Sequence, residues 1–197
     1  DLMRHYLSTL QEIRLLGLKD LPFCWGEIEE CGKDPLENAR QKALAYYRIC
    51  GQPVFSQDSG LYIEGLPKER QPGVHVRRVN GVNLTDEQMR KYYKKIAAEF
   101  GGRCVAQYQN AICLVFSENE IYEARGGALN WKKFWLMTEE RPQRMEGFPL
   151  DAICADYRTG RHFYDGEATM PEEEGDGVRD FFRNALKLHE MRNKIEK

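Results

Sequence analysis

Two acids and a lysine offer the clearest chemistry in this sequence. Glu37 stands in the opening turn of an expected helix, and Asp58 follows a short apolar run, Pro53 to Ser56. Lys42 lies five residues past Glu37, so the two flank the first turns of that helix. An acid at a helix start ordinarily serves the helix dipole, and an acid in a turn ordinarily serves the turn. Taken together with the lysine they form a better-defined set. Two carboxylates can hold Mg²⁺, which binds through one or two carboxylates plus phosphate oxygens. A lysine beside them can pair with phosphate. Such a set suits attack of an activated water on phosphorus.

The positioning elements follow from spacing and punctuation. Leu2, Met3, Tyr6, Leu7 and Leu10 predict a helix. Ile13 to Leu18 predicts a short strand, and residues 21–34 a loop. Asp34 and Pro35 open the helix that carries Glu37 and Lys42, with Ala39, Ala43, Tyr46, Tyr47 and Cys50 on one face and Gly51 ending it. A strand over Pro53 to Ser56 should lead into a tight segment, Gln57-Asp58-Ser59-Gly60, and then Leu61 to Ile63. Residues 64–83, rich in Gly, Pro and Arg, predict loop. Thr85 to Gln88 reads as a capping box ahead of a helix through Phe100. Cys104 to Phe116 and Ile121 to Arg125 predict a hairpin, broken by Gly126-Gly127. A loop over 138–149, a strand over Ile153 to Tyr157, an acidic loop over Pro171 to Gly177 and an amphipathic helix from Val178 to Leu188 complete the reading.

Composition bounds the class. With 197 residues, 42% hydrophobic and 30% charged, the chain suits one domain. A net charge of −2 argues against a general nucleic-acid binder. No apolar run is long enough to span a bilayer, and no signal-peptide pattern opens the chain. Six cysteines without a C-x-x-C pair predict reduced thiols, several of them buried, and a cytoplasmic protein. The four histidines are not spaced as a metal site.

Four runs then resemble one family. Glu37-Asn38-Ala39-Arg40-Gln41-Lys42-Ala43 is similar to the E-N-A-x-x-K-A of the Ham1/inosine-triphosphatase family. Pro53 to Leu61 resembles its P-x-x-A-D-D-S-G-L, with Gln57 in place of the first acid. Pro72-Gly73-Val74-His75-Val76-Arg77-Arg78 resembles P-G-V-Y-S-A-R, and Gly147-Phe148-Pro149-Leu150-Asp151 resembles G-F-G-Y-D. The runs keep the family's order and span most of the chain.

The resemblance implies an α/β, ITPase-like (Maf/Ham1) fold: a central twisted mixed sheet, flanking helices and two lobes around a cleft. It implies hydrolysis of non-canonical purine triphosphates (ITP, dITP, XTP) to the monophosphate and pyrophosphate, with Mg²⁺ as cofactor, in a homodimer. By that resemblance Glu37 and Asp58 hold Mg²⁺, Asp58 orients or deprotonates the attacking water, and Lys42, Ser59 and Gly60 contact phosphates. Phe148 stacks on the base, Asp151 bonds to it, and Arg78 lines the cleft. An aromatic such as Phe148 serves equally to pack a core.

The departures fall at two places. The family's opening strand and its [S/T]-x-N-x-x-K phosphate loop would end just before Asp1, so either the polypeptide is incomplete or that loop is absent, and Asp1 in place of Met favours a trimmed N-terminus. Its K-N-x-x-S-H-R falls on Asp176 to Phe182, leaving Arg179 and Arg183 as substitute base readers. A nucleotide-binding sensor or partner subunit with weak catalysis is the second reading. Another nucleotide pyrophosphatase of the Maf type is a third, with a poorer motif match.

Overall fold

A computed structural model describes residues 2–195 except 11–12, 23–25, 27 and 166–175. Its centre is a five-stranded sheet built around one long strand. Strand β4 (Arg103–Ser117) pairs antiparallel with β1 (Val54–Ile63) along one edge. Along its other edge it pairs with β5 (Glu120–Arg125) at one end and with β6 (Phe134–Met137) at the other, and β6 continues to β7 (Cys154–Asp156). Among the described residues every strand pairing within this sheet is antiparallel, which corrects the mixed sheet expected above. A small ribbon joins β2 (Arg78–Val79) to β3 (Val82–Asn83).

Helix α2 (Pro35–Cys50) forms as its punctuation requires. Asp34 accepts from the amides of Leu36 and Glu37, and Gly51 closes the helix with φ 63°. It packs Ala39 and Ala43 onto Cys113 and Val115, on one face of the sheet. The other face carries two apolar clusters. Near one end of β4, Ile112 and Leu114 meet Tyr6, Leu7 and Leu10, in and just after α1 (Leu2–Leu7), together with Val178, Phe182 and Ala185 of α4 (Asp176–Ile195). Near the other end, Cys104 and Ala106 meet Met89, Tyr93 and Ile96 of α3 (Asp86–Glu99). The capping box at Thr85 and Gln88 is formed.

Three local expectations are corrected. Gln57 to Gly60 is not a turn: it continues β1, because ten consecutive residues of β1 pair with β4. Ile13 to Leu18 is not a strand; a short 3₁₀ turn is formed at Leu18–Asp20. Strand β6 falls in a stretch to which the sequence assigns no element. Of the acidic loop expected over Pro171 to Gly177, residues 171–175 lie outside the described ones, and Asp176 and Gly177 already belong to α4. The five described cysteines are free, with Cys104, Cys113 and Cys154 buried as expected; Cys24 lies outside the described residues. Among the described residues no helix is long and apolar enough to cross a membrane.

Candidate active site

The alternation of β1 decides which side chains meet α2. Residues opposite one another in an antiparallel pair share a face. Asp58 lies opposite Ala111, two residues from Cys113, and so faces α2. There the Lys42 ammonium donates to Asp58 Oδ1 at 2.8 Å, and Asn38 Nδ2 donates to Oδ2 at 3.2 Å. Lys42 also reaches Glu30 at 3.1 Å. The Asp58 side chain is only 13% exposed and that of Lys42 19%. Burial pushes the Asp58 carboxyl above its usual range, and the Lys42 ammonium opposes that rise. For Lys42, burial works against the charge, yet the two carboxylates beside it hold the ammonium above its usual value.

Asn38 was quoted in the motif but given no role. It is buried, and its carboxamide works in two directions: Oδ1 accepts from the Gly32 amide at 2.8 Å while Nδ2 holds Asp58. The signal was available, since Asn38 and Lys42 are four apart and share a helix face. Glu37, five from Lys42, is exposed and accepts from the Lys33 amide at 2.7 Å. Gln41 accepts from the Cys31 amide at 3.2 Å. Segment 31–33 is thus strapped to α2 by three side chains.

A cleft of about 470 Å³ borders this cluster, lined by Glu29, Glu30, Asn38, His75, Arg77 and Arg78 among others. Its acids and its arginines come from separate segments. Gly60 explains how the arginine segment approaches: Leu61 bridges to Gly73, and a Cβ on Gly60 would stand 3.1 Å from the Gly73 carbonyl carbon. Arg78 stands in the lining of this cleft. Arg77 was not assigned a role; it is held by Asp86 at 2.7 Å and by the Leu84 carbonyl at 2.9 Å.

The remaining expected residues fall elsewhere. The Ser59 hydroxyl points to the opposite sheet face and donates to Asn110 Oδ1 at 2.7 Å. Gly60 packs against Gly73. Strand alternation turns Ser59 away from Lys42, whereas Gly60, two residues past Asp58, keeps the face of Asp58. Phe148 is 46% exposed, so it is not a core residue. Asp151 follows in the next turn, its amide donating to the Phe148 carbonyl at 3.3 Å. Burial raises the Asp151 carboxyl to about 6. Arg183 lies on α4, paired with Asp180 at 3.0 Å. Helix α4 packs on the sheet face opposite Asp58, so Arg183 is not joined to the cluster. Arg179, the other substitute reader, pairs with Asp176.

The donor chemistry suits a hard cation. Glu30, Glu37 and Asp58 offer only oxygen, and a carboxylate oxygen that accepts one hydrogen bond keeps another lone pair. Among the described residues no three His, Cys, Asp or Glu side chains gather as a ready-made cage.

An antiparallel sheet flanked by helices, with an acid, a lysine and an amide gathered beside an arginine-lined cleft, defines an α/β protein with a candidate ionic site. The chain belongs to the Ham1 family, whose match extends over residues 3–130. It is 34% identical over 119 residues to a dITP/XTP pyrophosphatase of Coxiella burnetii, 58% of each chain. It is 31% identical over 160 residues to that of Brucella melitensis, 76% of this chain and 66% of the relative. The crystal structure of a nucleoside-triphosphatase, or dITP/XTP pyrophosphatase, from Mycobacterium abscessus is similar with a TM-score of 0.61 at 26% identity, over 95% of this chain and 90% of that one. The Staphylococcus aureus Ham1 protein shares the fold, with a TM-score of 0.60 at 22% identity over 98% and 93% of the two chains. The chain spans about a third to three fifths of the length of the first curated relatives it matches.

Proposed function

We propose that this chain hydrolyses non-canonical purine nucleoside triphosphates (ITP, dITP and XTP) to the monophosphate and pyrophosphate. The observation that carries this reading is the buried Asp58–Lys42–Asn38 cluster beside a cleft that Arg77 and Arg78 help line. The names of the relatives point the same way. Water attacks the α-phosphorus, the bond from that phosphorus to the bridging oxygen breaks, and pyrophosphate leaves with the bond's electron pair. Asp58 orients the water and takes its proton. Lys42 shifts from Asp58 and Glu30 to the phosphate oxygens, and the cleft arginines hold the rest of the phosphate chain. Phe148 and Asp151 read the base.

Glu37 and Asp58 would hold Mg²⁺, whose contribution when bound is to neutralise charge on the phosphates. The working protein on this reading is a cytoplasmic homodimer.

Pyrophosphate release from ITP, dITP, XTP, ATP, GTP, CTP and UTP, with and without Mg²⁺, tests the proposal in the full-length protein. Release selective for ITP, dITP or XTP and abolished by Asp58→Asn is the expected result. Tight nucleotide binding without release from any of them would overturn it in favour of a sensor.

A further inference from the structure

Loop 142–151 carries Phe148 and Asp151, yet residues 142–148 are all exposed. Apolar burial anchors this loop only at Leu150, packed in the core beside α3, and between Glu140 and Phe148 the loop is held by charged groups. Glu140, at the root of the loop, accepts from three cations: Arg90 Nε at 2.9 Å and Lys94 Nζ at 3.0 Å, both from α3, and Arg144 Nη2 at 2.7 Å, from the loop itself. The other terminal nitrogen of Arg144 donates to the carbonyls of Arg141 and Gln143. The Arg141 amide donates to the Ala152 carbonyl at 2.8 Å and closes the loop at its base. The Arg141 guanidinium is bidentate on Asp165, at 2.8 and 2.7 Å, and also pairs with Glu139.

We infer that Glu140 is a positioning residue for base recognition: it clamps the Phe148–Asp151 segment to α3 and so sets where the aromatic ring meets a bound base. This rests on the proposed reading of Phe148. Glu140 is suited to the task because it is partly buried, with 25% of its side chain exposed, and Arg90 is 11% exposed. Two of its cations belong to a rigid helix and the third to the loop, so one carboxylate bridges the two. Loss of its charge leaves Arg90, Lys94 and Arg144 repelling one another, and the loop is the part free to move. The Lys42–Asp58 cluster packs on α2, away from α3, and shares none of these partners.

Glu140→Gln and Glu140→Asp in the full-length protein test the inference, with steady-state kinetics on dITP and binding of inorganic tripolyphosphate, which has no base. In Glu140→Gln, KM for dITP should rise about tenfold, the scale of one lost charge-assisted contact, with kcat within twofold and tripolyphosphate affinity unchanged. Glu140→Asp should recover part of the loss. An unchanged KM, or equal losses for dITP and tripolyphosphate, would overturn the inference. Amide hydrogen exchange gives a readout independent of activity. Faster exchange at Arg141, Phe148 and Asp151 with α2 unchanged supports the clamp even if the wild-type protein turns over no nucleotide, an outcome that would remove the proposed function alone. Unchanged exchange at those three amides would remove the clamp.

Discussion

Asp58 and Lys42 each hold the other's charge in a site largely closed to water. On the proposed reading a substrate phosphate draws Lys42 away, and Asn38 remains as the fixed donor to Asp58. The two helix residues should therefore fail differently. Lys42→Met removes the phosphate partner, so KM for the triphosphate is expected to rise by about tenfold or more. Asn38→Ala also strands the buried Gly32 amide, which costs about 1–3 kcal/mol. Its urea midpoint should fall along with its activity. A loss of activity in Asn38→Ala at unchanged stability would show that segment 31–33 does not depend on that bond. A KM unaltered in Lys42→Met would remove lysine from the phosphate-binding role.

At the scale of elements, α2 is the part that must be rigid, since it presents Asn38, Lys42 and Glu37 together. Its first turn rests on Asp34, which accepts from the Leu36 and Glu37 amides at 2.9 and 3.0 Å. Asp34→Ala is expected to lower stability by about 1 kcal/mol and to raise protease sensitivity around residues 31–36. An unchanged unfolding midpoint would mean that packing of Ala39 and Ala43 alone sets the helix start. This helix was legible in the sequence because its signals are local: Asp34 and Pro35 at one end, Gly51 at the other, and apolar spacing between. The capping box of α3 was legible for the same reason. The segment from Gln57 to Gly60 was not, since its residue types favour a turn while β4 imposes extended pairing from the other side of the chain. Because of that misreading Ser59 and Gly60 were gathered with Asp58, whereas alternation sends the Ser59 hydroxyl to Asn110. Strand β6 has only four residues and no polar alternation, so its pairing with β4 left no local trace. The ionic clamp at Glu140 was equally invisible, because its two partners on α3 lie 46 and 50 residues away in sequence.

For the molecule as a whole, the informative quantity is the dependence of stability on pH, and Asp151 gives it a definite sign. Burial raises this carboxyl from an ordinary 3.8 to about 6, with no cation opposing the rise. The folded chain thus binds this proton more tightly than the unfolded chain. Asp151 favours folding while protonated in both states, below about pH 4, and that contribution declines as pH rises from about 4 to about 6. Glu120 and Asp156 act in the opposite sense: both are held below their ordinary values, Glu120 by His189 and Tyr122 against its burial and Asp156 by the turn amide of Thr159, so they stabilise the fold above those values and lose the contribution as pH falls. The wild-type profile mixes these effects, and Asp151→Asn isolates one of them. A shift of about two units corresponds to about 2.7 kcal/mol, which partial access to water reduces to about 1 kcal/mol. Asp151→Asn should therefore be more stable than wild type by about that amount at pH 7.5 in urea unfolding, and the two should converge below pH 4. The same substitution should weaken dITP binding if Asp151 contacts the base, so stability and recognition would move in opposite directions, as they do where a fold keeps a strained charge for function. Equal stability of the two proteins at pH 7.5 would mean that the Asp151 carboxylate finds enough water in the folded chain, and its place near Phe148 would then carry no energetic signature of a binding role.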